Sequence, residues 1–510
     1  MRQKIVFAIF ILLLLLAVFS LAAYEFSQSG SLTVEAEQHW ETYGVGGTCI
    51  SGTHNLAVAD VDGDGVMEII TGGFTYNLTN DTRTSPAAPL KIWNWSGQNL
   101  TLEKSYNWSA SSGSARIICV FAGDANGDGE TDIVTAGGVT NATGNYAQLR
   151  IWRWDGETLA LKTNYEYALG RFSINSVFIS DVDEDGTPEI LACGRSYGAD
   201  GSSKAQLSVW HWDGNSLVLN KMVEWCAARE ASANSVYASD VNDDGVIEIL
   251  TGGFDNDLNN SSGQLQIWHW NGEELSSVAN EEWRLKDGGY GLTISGSVMG
   301  NTLVNNLKVG DVDGDGASEI VTGGFAYDGE KVNAQLRIWN CSGQTLALEK
   351  SQEWATKDIT EVKAISLNDV DGDGRMDIVT SGFTGAQGSF AENATDKELA
   401  QLRVWSWDGK TLTLKQSQDW TIGEGVCAWN VATGDVDKDG TVEIVTVGCM
   451  YISNLCDPDM RIWSIAKGFS SSAFPFSLEI VIAAVTSVAT IALASVYLLA
   501  ERGPKIKAQL

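Results

Sequence analysis

Seven copies of one acidic loop, a repeat length suited to four strands, and an N-terminal segment that supplies the strand missing from the last copy predict an all-β fold. The expected architecture is a seven-bladed β-propeller closed by its own N-terminal strand, followed by a C-terminal transmembrane helix. The copies begin DVDGDGVMEIITGGF at Asp60, DANGDGETDIVTAGG at Asp124, DVDEDGTPEILACGR at Asp181, DVNDDGVIEILTGGF at Asp240, DVDGDGASEIVTGGF at Asp311, DVDGDGRMDIVTSGF at Asp369 and DVDKDGTVEIVTVGC at Asp435. Their spacing runs from 57 residues (Asp124 to Asp181) to 71 (Asp240 to Asp311), too long for a solenoid turn and right for a blade with loops.

Each copy reads as strands A to D. An alternating run such as Leu56 to Ala59 enters the acidic loop, and a β-branched run such as Ile69 to Thr71 leaves it. A variable polar loop follows, then a strand like Gln148 to Trp152, a tight Trp-Asp-Gly turn and a strand like Leu159 to Leu161. Strand D carries an apolar residue eight positions before an aromatic one: Leu100 and Trp108, Leu159 and Tyr167, Leu217 and Trp225, Leu275 and Trp283, Leu346 and Trp354, Leu412 and Trp420. The last copy stops after strand C at Ile462 and Trp463, and Leu32 and Trp40 repeat the missing spacing at the N-terminus. That strand is expected to seal the ring and remove its open edges. The recurring tryptophans are expected between blades, as core.

The loops follow D-x-[DN]-x-D-G-x-x-[DE]. The Gly permits the backbone reversal, and a ninth-position carboxylate returns from the start of strand B. The candidate ligands are Asp60, Asp62, Asp64 and Glu68; Asp124, Asn126, Asp128 and Asp132; Asp181, Asp183, Asp185 and Glu189; Asp240, Asn242, Asp244 and Glu248; Asp311, Asp313, Asp315 and Glu319; Asp369, Asp371, Asp373 and Asp377; and Asp435, Asp437, Asp439 and Glu443. A backbone carbonyl at position seven, such as that of Val66 or Ala317, would add to each set. A hairpin turn needs one Asp and one Gly. Clusters this dense repel one another without a cation, and so many hard oxygens suit Ca²⁺, about seven ions in all, better than Mg²⁺. At calcium ten times its dissociation constant each site adds roughly 1.4 kcal/mol.

The acidic loops also account for much of the formal net charge of −32, since seven divalent ions would offset 14 of it. Acidity of this kind excludes nucleic acid as a partner. Residues 1–23 read as a signal peptide, or as an uncleaved anchor, because the apolar run Ile5 to Ala23 is 19 residues long. Residues 24–31 form a linker, 32–464 the propeller, 465–479 a Ser/Gly linker, 480–500 a transmembrane helix and 501–510 a basic cytoplasmic tail. The chain is therefore expected at the cell membrane with the propeller on the extracytoplasmic side. Ten sequons, at Asn77, Asn80, Asn94, Asn99, Asn107, Asn141, Asn259, Asn260, Asn340 and Asn393, fit an exported glycoprotein.

The repeats resemble the FG-GAP or VCBS-type calcium repeats of integrin α-subunit propellers and of secreted microbial proteins, over Leu32 to Ser464. Thr71 to Phe74 stands where the family's Phe-Gly and Gly-Ala-Pro tracts would lie. The resemblance implies partners on the face opposite the calcium loops. The loops there are the variable ones: Thr75 to Pro89, Arg284 to Asn306, Phe325 to Ala334 and Thr384 to Ala400. The expected function is thus a surface adhesion or recognition module for an extracellular protein or glycan. Some polysaccharide lyases resemble such propellers, and a structural envelope protein is a third class. No catalytic residues are expected: His211 and His269 read as scaffold, and His39 and His54 have no evident partner. Among the eight cysteines, bridges are expected for Cys449 with Cys456 and for Cys193 with Cys226, and a free buried thiol for Cys341.

Overall fold

The computed structural model describes residues 31–465 except 40–46, 50–54, 80–81, 85–86, 110–112, 143, 168–170, 199, 227–228, 257–260, 286–292, 295–296, 299–301, 387–396, 424 and 453–454. Both apolar terminal segments lie outside the described residues, among which no helix is long and apolar enough to cross a membrane. Leu32–Ser464 is one compact, all-β unit.

It is built from four-stranded antiparallel units in the order A–B–C–D, a β-propeller-like pattern. Unit 1 comprises Leu56–Ala59, Glu68–Gly72, Ala88–Trp95 and Leu100–Trp108; unit 2, Ser114–Gly123, Asp132–Asn141, Gly144–Trp154 and Leu159–Tyr167; unit 3, Arg171–Ser180, Glu189–Tyr197, Ser203–Trp212 and Leu217–Trp225. Unit 4 comprises Glu230–Ser239, Glu248–Asn256, Ser261–Trp270 and Leu275–Trp283; unit 5, Thr302–Gly310, Glu319–Tyr327, Val332–Ser342 and Thr345–Trp354; unit 6, Ile359–Asn368, Asp377–Gly385, Leu399–Trp407 and Leu412–Trp420. Unit 7 has Gly425–Gly434, Glu443–Ile452 and Leu455–Ile465, and its fourth strand is Leu32–His39 from the N-terminus. Single parallel pairings, Ser203 with Glu230 and Val332 with Ile359, link unit 3 to unit 4 and unit 5 to unit 6.

Burial explains the composition of each strand. Strands B open with at least five consecutive buried residues, as in Glu68–Gly72, and therefore begin as apolar, β-branched runs. Strands D form the edge, so Leu100–Trp108 shows charged residues to solvent and buries its terminal Trp. That aromatic end packs between units. Trp108 stacks on Trp152 at 5.2 Å, Trp225 on Trp268 at 4.9 Å, Trp283 on Trp339 at 4.9 Å, Trp354 on Trp405 at 5.1 Å and Trp420 on Trp463 at 5.0 Å. The first indole N–H of each strand C has a hydroxyl acceptor. Trp152 donates to Thr135, Trp339 to Thr322 and Trp463 to Thr446 on the neighbouring strand B. Unit 3 has Ala192 at that position, and there Trp210 donates to Ser208 instead, whose hydroxyl donates to the Ala192 carbonyl.

Strands A carry a bulge that the sequence pattern does not reveal. Pairing skips Asn175, Asn234 and Asn305 in units 3, 4 and 5. The freed amides reach across to the next unit: Asn175 donates to the Ala233 carbonyl (3.0 Å), Asn234 to Val304 (2.8 Å) and Asn305 to Val362 (2.7 Å). Residues of strand A from units 1 through 7 line one cavity of ≈ 180 Å³, among them Val58, Phe121, Phe178, Lys308 and Thr433.

The N-terminal strand is held by a polar network. Thr33 meets Ser464 at 3.1 Å, and Arg461 donates to Glu37 at 2.7 Å while pairing with Asp459 at 3.2 Å. His39, without a partner in the sequence reading, hydrogen-bonds Glu37 at 2.6 Å and lies 3.4 Å from Asp459. Part of the variable segment 75–89 is also strand: Phe74–Thr79 pairs with Gly47–Cys49 and with Thr82–Thr84. The expected Cys193–Cys226 bridge is not formed. Cys193 lies within strand B of unit 3, not in a loop, and its free thiol is buried against Ala205, Ala233 and Val236. Cys341 is a buried free thiol that donates to the Gly343 carbonyl, and burial pushes it up to about 11. The side chain of Cys456 lies outside the described residues.

Asp459 is 3 % exposed and Arg461 8 % exposed, so removing the guanidinium strands a buried carboxylate. Arg461→Ala is expected to lower the unfolding free energy by about 3 kcal/mol in urea titrations. Arg229→Ala, in an exposed pair, should change it by no more than about 0.5 kcal/mol. Equal midpoints for the two variants would show that this network does not hold the N-terminal strand.

Candidate metal centres

Each acidic loop joins strand A to strand B, and one backbone scheme recurs in all of them. The ninth-position carboxylate accepts a hydrogen bond from the N–H of the second residue: Glu68 from Val61 (2.9 Å), Asp132 from Ala125 (3.2 Å), Glu189 from Val182 (3.0 Å), Glu248 from Val241 (3.2 Å), Glu319 from Val312 (3.0 Å), Asp377 from Val370 (3.3 Å) and Glu443 from Val436 (3.0 Å). The first Asp accepts at both oxygens, Asp60 from Gly63 (2.7 Å) and Gly65 (2.9 Å), and Asp64 caps the turn by accepting from Val66 (2.7 Å). The second residue is apolar and buried under the neighbouring unit. Val61 packs with Trp154, Ala125 with Trp212, Val182 with Trp270, Val312 with Trp407 and Val436 with Trp95.

Acceptor oxygens from the predicted ligands are thereby gathered. Those of Asp60, Asp62 and Glu68 lie within 4.8 Å of one another, as do those of Asp181, Asp183 and Glu189, of Asp311, Asp313 and Asp315, and of Asp369, Asp371 and Asp377. Oxygens at 2.3–2.6 Å from a shared Ca²⁺ would be at most about 5 Å apart, so the donor set fits that ion. Asp183 Oδ1 and Asp377 Oδ1 are both buried, and Asp377 Oδ1 lies 3.6 Å from the Lys415 ammonium. Burial pushes Glu68 and Glu319 up to about 7, and Glu189 and Glu443 up to about 8, with the neighbouring Asp carboxylates adding to the shift. Burial likewise pushes Asp377 of unit 6 up to about 7, and carboxyls raised this far hold a proton near neutral pH unless a cation takes its place.

The loops are not equivalent. In unit 4 the Asn242 amide donates to Glu248 Oε1 at 2.7 Å. In unit 2 Asn126 donates to Asp128 at 3.1 Å, and Arg153 from strand C reaches Asp132 (2.6 Å), Asp128 (2.9 Å) and Glu130. In unit 6 Lys415 from strand D lies 2.7 Å from Asp371, 2.7 Å from Asp373 and 3.6 Å from Asp377. The position equivalent to Lys415 is Glu103 in unit 1, Glu349 in unit 5 and Glu35 in unit 7. Burial raises Glu103 and Glu349, and the fields of Asp62 and Asp64, and of Asp313 and Asp315, raise them further. Glu35 acts likewise on Asp437, after burial and the loop's own carboxylates. The ligand motif did not point to these residues; alignment of the strand-D copies does.

A glycine from the following unit covers the third loop position. A Cβ on Gly156 would lie 3.0 Å from Asp62 Oδ2, on Gly272 2.8 Å from Asp183, on Gly409 2.7 Å from Asp313 and on Gly97 2.6 Å from Asp437. The acidic loops and C–D turns therefore share one face, and unit 1 covers the loop of unit 7. The fourth loop position is left-handed whatever residue stands there: Gly63 has φ 78°, and Glu184, Asp243 and Lys438 have φ 59°, 57° and 59°.

Two substitutions with opposite signs test this geometry. Gly272→Ala, strained at φ +82° and crowding Asp183, is expected to cost about 2 kcal/mol, and Glu184→Gly to add about 0.5 kcal/mol by releasing left-handed strain. Urea midpoints read both. A neutral Gly272→Ala would remove the cover role of the turn.

A family model described as FG-GAP-like repeat matches residues 369–446. The match runs from the acidic loop of unit 6 through that of unit 7, so it includes Asp369, Asp371, Asp373, Asp377, Asp435, Asp437, Asp439 and Glu443. Comparison with curated proteins returns no match.

Proposed function

We propose that residues 32–464 form a closed, calcium-stabilised seven-bladed β-propeller that serves as a recognition module at the outer face of a membrane, to which the helix at 480–500 anchors it. The observation that carries this reading is the repetition of one carboxylate cage on one face of the repeated units, while the connections on the other face differ in length and sequence. Closure is supported by the order of contacts. The glycine cover passes from unit 1 to unit 7, strands A of every unit line one cavity, and the N-terminal strand pairs within the last unit. The integrin-like character of the module rests on the resemblance of the repeats and on the FG-GAP-like match.

Bound calcium would supply divalent charge to a cage it occupies, and the chain would contribute the oxygens of loop positions one, three, five and nine. The ninth residue is already oriented by its bond to the second residue's N–H, so little ordering would remain for binding. A rigid scaffold of this kind lets the opposite loops diverge without loss of fold. Those loops are the proposed ligand surface for an extracellular protein or a glycan. No nucleic acid is expected to bind so acidic a surface.

Two measurements test the reading. EDTA should lower the melting temperature by at least about 10 °C, reversibly on adding calcium, since several linked sites each contribute; an unchanged melting temperature would exclude structural calcium. Screening the chain on a glycan array and against extracellular proteins should find a ligand whose binding is lost when residues 387–396 are replaced by a short Gly-Ser linker, with the melting temperature unchanged. Turnover of a polyuronide would instead make the module an enzyme.

A further inference from the structure

We propose that two of the seven acidic loops, those of units 2 and 6, are closed by tethered side-chain cations, Arg153 and Lys415, in place of calcium. This rests on the calcium reading of the remaining loops. In unit 6 the Lys415 ammonium stands among the carboxylates of positions three, five and nine, at 2.7, 2.7 and 3.6 Å. In unit 2 the Arg153 guanidinium grips position nine through Nε (2.9 Å) and Nη2 (2.6 Å), and position five through Nη1 (2.9 Å). These are the oxygens that a metal would need. Oxygens packed within 4.8 Å of one another, as in unit 6, leave room for one cationic centre. Calcium could enter only by expelling the side chain and breaking its partly buried ion pairs.

Alignment of the units gives a second, independent argument. Arg153 occupies the strand-C position held by Asn94, His211, His269, Asn340, Ser406 and Ser464 in the other units, none of which is a fixed cation of this kind. Lys415 occupies the strand-D position held by Glu103, Glu349 and Glu35 in units 1, 5 and 7, where the added carboxylate raises the negative charge at the loop. One structural position thus strengthens the demand for a metal in three units and removes it in another. The exception has a topological cause. Unit 7 is completed by the N-terminal strand and has no C–D turn, so no glycine from the following unit covers Asp371, and Lys415 fills the place.

Counting calcium on the full chain tests the proposal. After dialysis against low micromolar calcium, elemental analysis by mass spectrometry is expected to find about five ions per chain, about six in Lys415→Gln or Arg153→Gln, and about seven in the double variant. The converse change, Glu103→Lys, should remove one ion from the wild-type count. Without calcium, Lys415→Gln should melt below the wild type, and added calcium should close most of the gap. Seven ions on the wild type, or an unchanged count in both single variants, would overturn the tethered-cation assignment while leaving the calcium reading intact. No ion on any form would overturn the calcium reading itself. The wild-type count decides the matter even if a variant fails to fold.

Discussion

Every acidic loop is folded back on itself by the same hydrogen bond, from the N–H of its second residue to the carboxylate of its ninth. Much else follows from that contact. It sets the ninth side chain at the mouth of the loop, and it turns the apolar second residue inward, where a neighbouring unit covers it, as Trp154 covers Val61. The electrostatic problem of the loop and the packing between units are therefore solved by one short segment. A substitution that disturbs either would be felt by both.

The charge arrangement shows how a repeat is adapted without altering its backbone. Strands C and D bring side chains to the same loop from fixed positions, so a change of residue there alters the loop's charge while its turn stays the same. Glu103, Lys415 and Arg153 are three outcomes of that freedom. The aromatic contacts are more rigid. Where unit 3 lacks the strand-B threonine, another hydroxyl on strand C restores the indole's acceptor, and Tyr165 of unit 2 packs edge-on against Trp210 at 5.1 Å.

Features local in the chain were the readable ones. The ligand spacing, the D–A–B–C offset of the last unit and the aromatic periodicity all lie within short windows, and the strands appear where those windows put them. What escaped depends on pairs far apart in sequence. Arg461 and Glu37 are 424 positions apart, and the bulged Asn234 finds its acceptor 70 positions on. Cys193 was misjudged because strand B extends to Tyr197, which takes the thiol into the core between units 3 and 4 and away from any loop partner. Arg153 and Lys415 were invisible to a motif built on acids, since nothing in nine consecutive residues reveals which cation lies across the sheet.

The pairing of Leu32–His39 with Leu455–Ile465 also has a mechanical side. Thr33 meets Ser464, and Glu37 meets Arg461, so the strands run antiparallel and the chain enters and leaves the body at one point. Tension applied to both ends would act across the rungs one at a time, in the unzipping direction, because the load does not run along the strands. The first rung is the exposed Thr33–Ser464 contact, which yields readily; the next resistance is the Arg461 network, deeper in the sheet. A body loaded in this way would behave as a weak mechanical fuse that opens at one strand before any four-stranded unit is torn.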